Sequence, residues 1–183
     1  MTLQRIAIVG SPGSGKSTLA RVLGARTGLP VIHMDALYWT PGWVEREGAD
    51  FRARLTAAAA GDRWIIDGNY SGTMAIRLAR ADTVVVLDRS RWLCLWRVVK
   101  RWLATRGRTR PDMAEGCPEK IDWPFVKFVL DYPTAGALRR DEALAAYGGH
   151  AQVVRLRSDA EVRRFGAGWP ECLQAPGQGG TTG

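Results

Sequence analysis

Long apolar runs are missing from this chain of 183 residues. A membrane-spanning helix needs roughly 18 apolar residues in succession, and the best run here covers only residues 84–87. The first residues lead directly into a strand-like segment at residues 6–9, so no signal peptide is expected either. We therefore expect a cytoplasmic protein that has no membrane partner.

Cysteine is also scarce. The chain has an odd number of cysteines, dispersed along the sequence and without C-x-x-C spacing. They are Cys94, Cys117 and Cys172. This usage argues against a disulfide framework and against a structural zinc site. A reducing compartment is therefore expected.

Lysine is rare although the chain is strongly basic. The formal net charge is +8, yet the only lysines are Lys16, Lys100, Lys120 and Lys127. Arginine supplies the remaining positive charge, and its planar guanidinium group suits bidentate contacts with phosphate. An anionic partner is expected, which can be a nucleotide, a phosphorylated metabolite or nucleic acid, and the composition does not choose among them.

Short apolar segments alternate with helical stretches, which predicts an α/β fold with a mainly parallel sheet. The predicted strands cover residues 3–10, 30–34, 64–67, 83–88 and 152–156. The predicted helices cover residues 15–27, 50–60, 71–80, 90–105, 123–132, 134–147 and 159–165, with Asp122 and Thr134 as predicted caps. The length favours one domain over residues 1–168 and a monomer. Residues 169–183 form a tail that is expected to be disordered.

The predicted helix at residues 90–105 is the most amphipathic segment of the chain. Arg97 and Arg101 lie on one side of it, opposite a broad apolar stripe. The stripe consists of Trp92, Leu93, Leu95, Trp96, Val99, Trp102 and Leu103. We expect its tryptophans to belong chiefly to the core.

Residues 10–17 read Gly-Ser-Pro-Gly-Ser-Gly-Lys-Ser and match the phosphate-binding pattern G-x-x-x-x-G-K-[ST]. They follow an apolar strand and precede a helix, so backbone N–H groups and the helix N-terminus can surround phosphate oxygens. Lys16 would reach the β- and γ-phosphates, and the hydroxyl of Ser17 would bind Mg²⁺. The predicted nucleotide-binding residues are Gly10, Ser11, Pro12, Gly13, Ser14, Gly15, Lys16, Ser17 and Thr18.

Acidic residues stand at the ends of the predicted strands. The carboxyl ends of parallel strands share the sheet edge that carries the phosphate-binding loop. Asp67 is predicted to hold Mg²⁺ through water, with capping of the following turn as the alternative. Asp88 is predicted to cap its turn or to pair with Arg91. His33 is predicted to be a satisfied imidazole rather than a catalytic base.

Four longer strings stand out, namely Ile-His-Met-Asp-Ala-Leu-Tyr-Trp at residues 32–39, Trp-Ile-Ile-Asp-Gly-Asn-Tyr at 64–70, Arg-Gly-Arg-Thr-Arg-Pro-Asp-Met at 106–113 and Gly-Cys-Pro-Glu at 116–119. The loop string Gly-Ser-Pro-Gly-Ser-Gly-Lys-Ser-Thr at residues 10–18 resembles that of the adenylate-kinase-like P-loop kinases, and the four longer strings resemble their DNA topology modulation (FlaR-related) branch. The resemblance covers about residues 5–165. It implies a three-layer P-loop fold with five parallel strands in the order 2-3-1-4-5, helices on both faces, a mobile lid and ATP as the phosphoryl donor.

The resemblance also assigns residues to roles. Asp35 matches the carboxylate that faces the acceptor in related small-molecule kinases, with capping of the next turn as the alternative. The segment Arg157-Ser158-Asp159-Ala160 after the fifth strand is expected near the adenine base, and Arg139 and Arg140 match the place of additional arginines in the larger family. The strings that recognise AMP in adenylate kinases are missing, because Asn-Tyr follows Asp67-Gly68 in place of Phe-Pro-Arg. AMP is therefore a doubtful acceptor.

An arginine-rich segment at residues 106–120 is expected to form the lid. Arg106, Arg108 and Arg110 would close over ATP and neutralise charge on the moving phosphoryl group, unless the segment is only a solvated basic loop. Lys100 and Arg101 are predicted to be structural. The aromatic residues of the loop after Asp35 are predicted to line the acceptor pocket or to form a small apolar cluster. They are Tyr38, Trp39 and Trp43.

These observations favour a Mg²⁺- and ATP-dependent phosphotransferase that acts on a small molecule or a nucleotide. A GTPase is disfavoured because the chain has no Asn-Lys-x-Asp string for guanine. The alternatives are a nucleotide-binding, DNA-associated regulator and an ATPase without a small-molecule acceptor. A DNA partner is possible but is not favoured, because no helix-turn-helix, zinc finger or basic arm is recognisable.

Overall fold

The computed structural model describes residues 4–169 and is built around one five-stranded parallel sheet. The strands are β1 (Arg5–Gly10), β2 (Val31–His33), β3 (Trp64–Asp67), β4 (Thr83–Leu87) and β5 (Gln152–Leu156). Their spatial order is β2-β3-β1-β4-β5, which confirms the predicted order. Residue 3 of the first predicted strand and the predicted tail beyond residue 169 lie outside the described residues.

Helices connect the strands and cover both faces of the sheet. They are α1 (Lys16–Thr27), α2 (Met34–Tyr38), α3 (Gly48–Ala60), α4 (Met74–Leu78), α5 (Arg91–Thr105), α6 (Trp123–Asp131), α7 (Ala137–Tyr147) and α8 (Asp159–Gly168). Asp122 caps α6 as predicted, because its Oδ1 accepts a hydrogen bond from the backbone N–H of Phe125 at 2.9 Å. The cap predicted at Thr134 is wrong, since a π-helical segment (Tyr132–Gly136) runs from α6 into α7.

The apolar strands are buried because both faces of the sheet are covered. Alternate residues of a strand point to opposite faces, so β1 contributes side chains to two separate hydrophobic cores. Ala7 and Val9 pack into one core with residues of α3 and α4. Ile6 and Ile8 pack into the other with residues of α1 and α8. Within residues 4–169, no helix is both long and apolar enough to cross a membrane.

Two small elements between β2 and α3 were not predicted. Helix α2 starts immediately after β2, and a two-stranded hairpin (Trp39–Thr40 with Val44–Glu45) follows it. The hairpin turns through left-handed backbone at Gly42, with φ of 82°, and at Trp43, with φ of 63°. A tryptophan in that conformation is uncommon, so neither residue type nor periodicity indicates the hairpin.

The expectation that the α5 tryptophans belong to the core is wrong for two of them. Trp92 and Trp96 are 69% and 58% exposed, and Leu103 on the same side of the helix is 65% exposed. Cys94 and Val98 are the residues that α5 buries. The helix is turned this way because Arg97 and Arg101 face the cleft described below, which leaves part of the apolar stripe on the outer surface.

Candidate active site

A cleft of about 1100 Å³ opens at the carboxyl edge of the sheet. Residues that follow each of the five strands line it, as is usual for ligand sites in parallel α/β sheets. The phosphate-binding loop follows β1, Met34 follows β2, Gly68 follows β3, Arg89 follows β4 and Asp159 follows β5. One cleft therefore contains the donor loop and the acidic residues that were predicted from separate parts of the sequence.

Two positions of the phosphate-binding loop, Gly10 and Gly13, have no room for a Cβ atom. The backbone of Gly10 has φ of 149°, and a Cβ atom there would lie 2.5 Å from the carbonyl oxygen of Leu87. At Gly13, φ is 78° and a Cβ atom would lie 2.5 Å from the carbonyl oxygen of Cys94. Close packing of the bare backbone against β4 and α5 gives the loop its shape.

The loop residues that line the cleft run from Pro12 to Thr18, while Gly10 and Ser11 do not line it. Helix α1 begins at Lys16, so its N-terminus and partial positive charge face the cleft. The hydroxyl of Ser14 is buried without a hydrogen-bond partner among residues 4–169. The helix N-terminus and the unsatisfied Ser14 hydroxyl at this loop together fit a bound polyphosphate.

Lys16 bends back over the loop. Its Nζ donates hydrogen bonds to the carbonyl oxygens of Gly10 at 2.9 Å and Ser11 at 3.0 Å. Burial lowers the pKa of the Lys16 ammonium group, and the nearby carboxylates of Asp35 and Asp67 partly oppose that effect. The ammonium group is therefore placed between the loop and the two carboxylates.

Asp67 ends β3 and is only 3% exposed. Its Oδ1 lies 2.5 Å from Nδ1 of His33. Burial is the largest single influence on the pKa of His33 and would lower it, but the hydrogen bond to Asp67 and the negative charges of Asp67 and Asp112 together raise it. The structure thus supports the expectation of a satisfied imidazole at His33.

Ser17 and Asp67 line the same cleft and fit a magnesium site. Residues 4–169 contain no group of three or more His, Cys, Asp or Glu residues that could enclose a metal ion. Mg²⁺ in nucleotide sites commonly needs only one or two protein ligands, because waters and phosphate oxygens complete its octahedron. The Ser17 hydroxyl and the Asp67 carboxylate, acting through water, match that requirement.

Asp35 lies in the first turn of α2 and also lines the cleft. Its Oδ1 accepts a hydrogen bond from the hydroxyl of Tyr70 at 2.8 Å. Burial raises the pKa of Asp35, while Tyr70, Lys16 and Arg110 partly offset the rise. A carboxylate with a raised pKa is suited to accepting a proton near neutral pH.

Of the three predicted lid arginines, only Arg110 lines the cleft. Its guanidinium group forms ion pairs with Asp112 at 2.6 Å and Glu119 at 2.5 Å. Arg106 and Arg108 are exposed, and Arg106 lies over the Trp102 ring at 5.2 Å from the ring centroid. In this conformation the lid brings one of its arginines to the cleft and directs the other two away from it.

Arg157, the residue expected near the adenine base, is exposed and does not line the cleft. Its backbone N–H donates to Glu161 at 2.6 Å at the start of α8. The residues after β5 that line the cleft are instead Asp159, Val162 and Arg163. Of the segment expected near the adenine base, Asp159 lines the cleft and Arg157 does not, and the position of the base stays a prediction.

The pairing predicted between Asp88 and Arg91 is wrong. Asp88 pairs with Arg140 at 2.7 Å and with Arg155 at 3.2 Å. Arg140 is buried by these contacts, whereas its neighbour Arg139 lines the cleft. One of the two arginines expected after the lid therefore has a structural partner, and the other faces the site.

Trp39 and Trp43 line the cleft beside Asp35, with their ring centroids 5.3 Å apart. Tyr38 does not line it and packs against Phe51 at a centroid distance of 5.1 Å. The hairpin is joined to the lid, since the indole N–H of Trp43 donates to the carbonyl oxygen of Pro118 at 2.9 Å. The predicted lid segment and the aromatic hairpin are thus joined to each other, and both contribute residues to the lining of the cleft.

Comparisons with known proteins agree with this geometry. Residues 6–67 match a family model described as ATPase family associated with various cellular activities (AAA). A shikimate kinase from Acinetobacter baumannii, solved in complex with shikimate, has a TM-score of 0.59 and 18% identity, with 94% of this chain and 92% of that chain covered. The fold is that of P-loop kinases. A shikimate kinase from Bacteroides thetaiotaomicron has a TM-score of 0.52 and 18% identity, with 94% and 99% covered. No curated protein matches the chain in sequence.

Within this P-loop kinase fold, the arginines of α5 are cleft residues that sequence reasoning treated as structural or left without a role. Arg101 pairs with Glu119 of the lid at 2.8 Å, and Arg97 pairs with Asp159 at 2.6 Å. Both arginines line the cleft. The only available signal was their position on the polar side of an amphipathic helix, which normally indicates a solvated face.

Proposed function

We propose that the chain is a Mg²⁺- and ATP-dependent phosphotransferase that moves the γ-phosphoryl group to a hydroxyl of a small molecule. The observation that carries the proposal is the meeting of Lys16 with Asp35 and Asp67 in one cleft of a P-loop kinase fold. Lys16 belongs to the donor loop and Asp35 to the opposite end. A donor phosphate and an acceptor hydroxyl bound at these two positions would face each other.

The donor end would hold ATP by its backbone. The amides of residues 12–18 and the N-terminus of α1 would bind the phosphates, with the Lys16 ammonium group directed at the transferred group. Mg²⁺, held by Ser17 and through water by Asp67, would neutralise phosphate charge. Arg110, and Arg97 and Arg101 on α5, would add positive charge around the phosphoryl group and help to exclude water.

The acceptor end would bind a hydroxyl compound by side chains. Asp35 would accept the hydroxyl proton, which its raised pKa favours, as the acceptor oxygen forms its bond to Pγ. The bond between Pγ and the β–γ bridging oxygen would break in the same step, and ADP would leave. Trp39 and Trp43 would pack against the body of the acceptor. The Acinetobacter shikimate kinase was solved with shikimate, so small hydroxylated rings belong in the first set of acceptors to be tested.

The proposal is tested by incubating the protein with ATP, Mg²⁺ and a panel of hydroxylated metabolites and nucleosides, and detecting phosphorylated products by mass spectrometry. Lys16→Ala should reduce product formation by about 100-fold or more, because it removes charge that stabilises the transition state. Lys100→Ala is the matched control, since Lys100 lies exposed on α5 against Trp96. Equal turnover by Lys16→Ala and the control, or no phosphorylated product with any acceptor, would contradict the proposal.

A further inference from the structure

The side chain of Asn69 extends the sheet beyond the end of β3. The pairing of β1 with β3 ends at Ile8 opposite Asp67, and the N–H of Gly68 then donates to the Ile8 carbonyl at 3.1 Å. At the next position the Asn69 carboxamide replaces a strand. Its Oδ1 accepts from the N–H of Gly10 at 3.1 Å and its Nδ2 donates to the Gly10 carbonyl at 2.8 Å. One side chain therefore satisfies both backbone groups of the first glycine of the donor loop.

The same Gly10 carbonyl also accepts the hydrogen bond from Lys16 Nζ. In the proposed reaction Lys16 donates to phosphate instead, and the carbonyl would then lose one of its two partners. The Asn69 bond remains, so no backbone oxygen is left unsatisfied when the lysine moves. Asn69 thus holds the loop in place and lowers the cost of the lysine movement.

The next residue in the chain reaches the other end of the cleft. The Tyr70 hydroxyl donates to Asp35, the proposed proton acceptor, at 2.8 Å. The Tyr70 backbone is left-handed, with φ of 41°, a conformation that is sterically unfavourable for a non-glycine residue. Because of this turn, two consecutive side chains reach different ends of the cleft. Asn69 binds the backbone of Gly10, and Tyr70 binds the carboxylate of Asp35.

Further hydrogen bonds, from α4 and from the π-helical segment, hold this turn. Arg77, fully buried in α4, donates from Nη2 to the carbonyl oxygens of Gly68, at 3.0 Å, and of Asn69. Burial lowers the pKa of Arg77 to about 10, so it stays cationic at neutral pH. The Tyr132 hydroxyl donates to Oδ1 of Asn69 at 3.0 Å. The turn is therefore tied by hydrogen bonds to α4 and to the π-helical segment.

We propose that Asn69 and Tyr70 are positioning residues that couple the donor loop to the acceptor carboxylate Asp35, so that both ends of the cleft keep one relative geometry. This inference rests on the proposed function. It predicts that a substitution of Asn69 changes the pKa of Asp35, and that a substitution of Tyr70 changes the affinity for nucleotide.

The test uses Asn69→Ala and Tyr70→Phe, with calorimetry of Mg²⁺-AMP-PNP binding and ¹³C NMR titration of the labelled Asp35 carboxyl. Asn69→Ala should weaken analogue binding about tenfold, because two hydrogen bonds to Gly10 are lost. Tyr70→Phe should weaken it about threefold. Both variants should raise the pKa of Asp35, since the Tyr70 hydrogen bond that lowers it is lost or displaced.

The other charged groups that act on Asp35 are unchanged in both variants. They are Lys16 of α1, Arg110 of the lid and Asp67 of β3. Ile6→Val is the stability control, because it removes one buried methyl group at the far end of β1 and should move neither readout. Tyr132→Phe removes one bond to Asn69 but keeps the Gly10 pair, and should give smaller shifts in the same directions. If Asn69→Ala does not fold, Tyr132→Phe and Tyr70→Phe carry the test.

The outcomes separate this inference from the proposed function. A wild-type protein that neither binds Mg²⁺-AMP-PNP nor phosphorylates any acceptor would refute the proposed function. A wild-type protein that does both, but whose Asn69→Ala variant weakens analogue binding without moving the pKa of Asp35, would refute the coupling alone. Tyr70→Phe with unchanged analogue affinity would overturn it as well.

Discussion

The proposed donor end and the proposed acceptor end of the cleft are built in different ways. The proposed donor end is one continuous segment, residues 10–18, which would bind phosphate chiefly through backbone amides. The proposed acceptor end is a set of cleft-lining side chains from separate segments, namely Asp35, Trp39, Trp43 and Tyr70. A backbone site is damaged by added atoms, because its shape depends on glycines that pack closely. A side-chain site is damaged when atoms are removed.

The largest expected effect is at the acceptor carboxylate. Asp35→Asn should lower kcat by about 100-fold or more, because the amide cannot accept the proton. The affinity for Mg²⁺-AMP-PNP should be unchanged or slightly higher, since a negative charge near the phosphates is removed. Asp62→Asn, at a fully solvated carboxylate, is the control. Equal loss of nucleotide binding in Asp35→Asn would contradict the division into two ends.

The same carboxylate gives the pH dependence of the reaction. The base form of Asp35 is needed, and burial raises its pKa, so the rate should fall as the pH decreases through that raised pKa. Asp35→Asn should lose this acidic limb in a kcat profile measured from pH 5 to pH 8. A limb that persists in the variant would assign the titration to another group.

The second effect tests the donor end with one added methyl group. Gly13→Ala should weaken binding of Mg²⁺-AMP-PNP by about 30-fold, because the methyl group meets the Cys94 carbonyl and φ is unfavourable for alanine. Gly61→Ala is the matched control, since a Cβ atom there meets nothing within 4 Å. Calorimetry that gives the same affinity for both variants would show that the loop tolerates the added atom.

The third effect compares two arginines of the lid. Arg110→Ala should lower kcat by about tenfold or more, because Arg110 lines the cleft and can neutralise charge on the phosphoryl group. Arg108→Ala removes the same charge from an exposed position and should change kcat by less than about twofold. Steady-state kinetics with similar losses in both variants would show that the lid rearranges to bring Arg108 into the site.

The smallest expected effect is at Trp39, where a substitution should change the binding of the acceptor but not that of the nucleotide. Trp39→Ala should raise the KM of the acceptor about fivefold through lost apolar contact, with unchanged affinity for Mg²⁺-AMP-PNP. Trp92→Ala, on the outer surface of α5, should change neither value. If Trp39→Ala weakens both ligands equally, Trp39 is not an acceptor residue.

The parts of the site that could be predicted are those with a local signal. Four consecutive apolar residues indicated β4 as a buried strand, and the glycine spacing of residues 10–17 indicated the loop. The orientation of α5 could not be predicted. Periodicity shows that a helix has two faces but not which one turns inward, and here ion pairs with Glu119 and Asp159 turn the arginine face to the cleft. The relation to the DNA topology modulation branch stays a prediction from the sequence.

The amino-acid sequence by itself determined the phosphate-binding loop and the alternation of strands with helices. Both signals extend over only a few neighbouring residues. The tertiary structure alone decided the partnerships of Asn69 with Gly10, 59 residues away, and of Tyr70 with Asp35, 35 residues away. These contacts depend on which strand ends become neighbours and on the direction in which each turn sends its side chains. Neither is encoded in local spacing, since both arise only when the whole sheet is assembled.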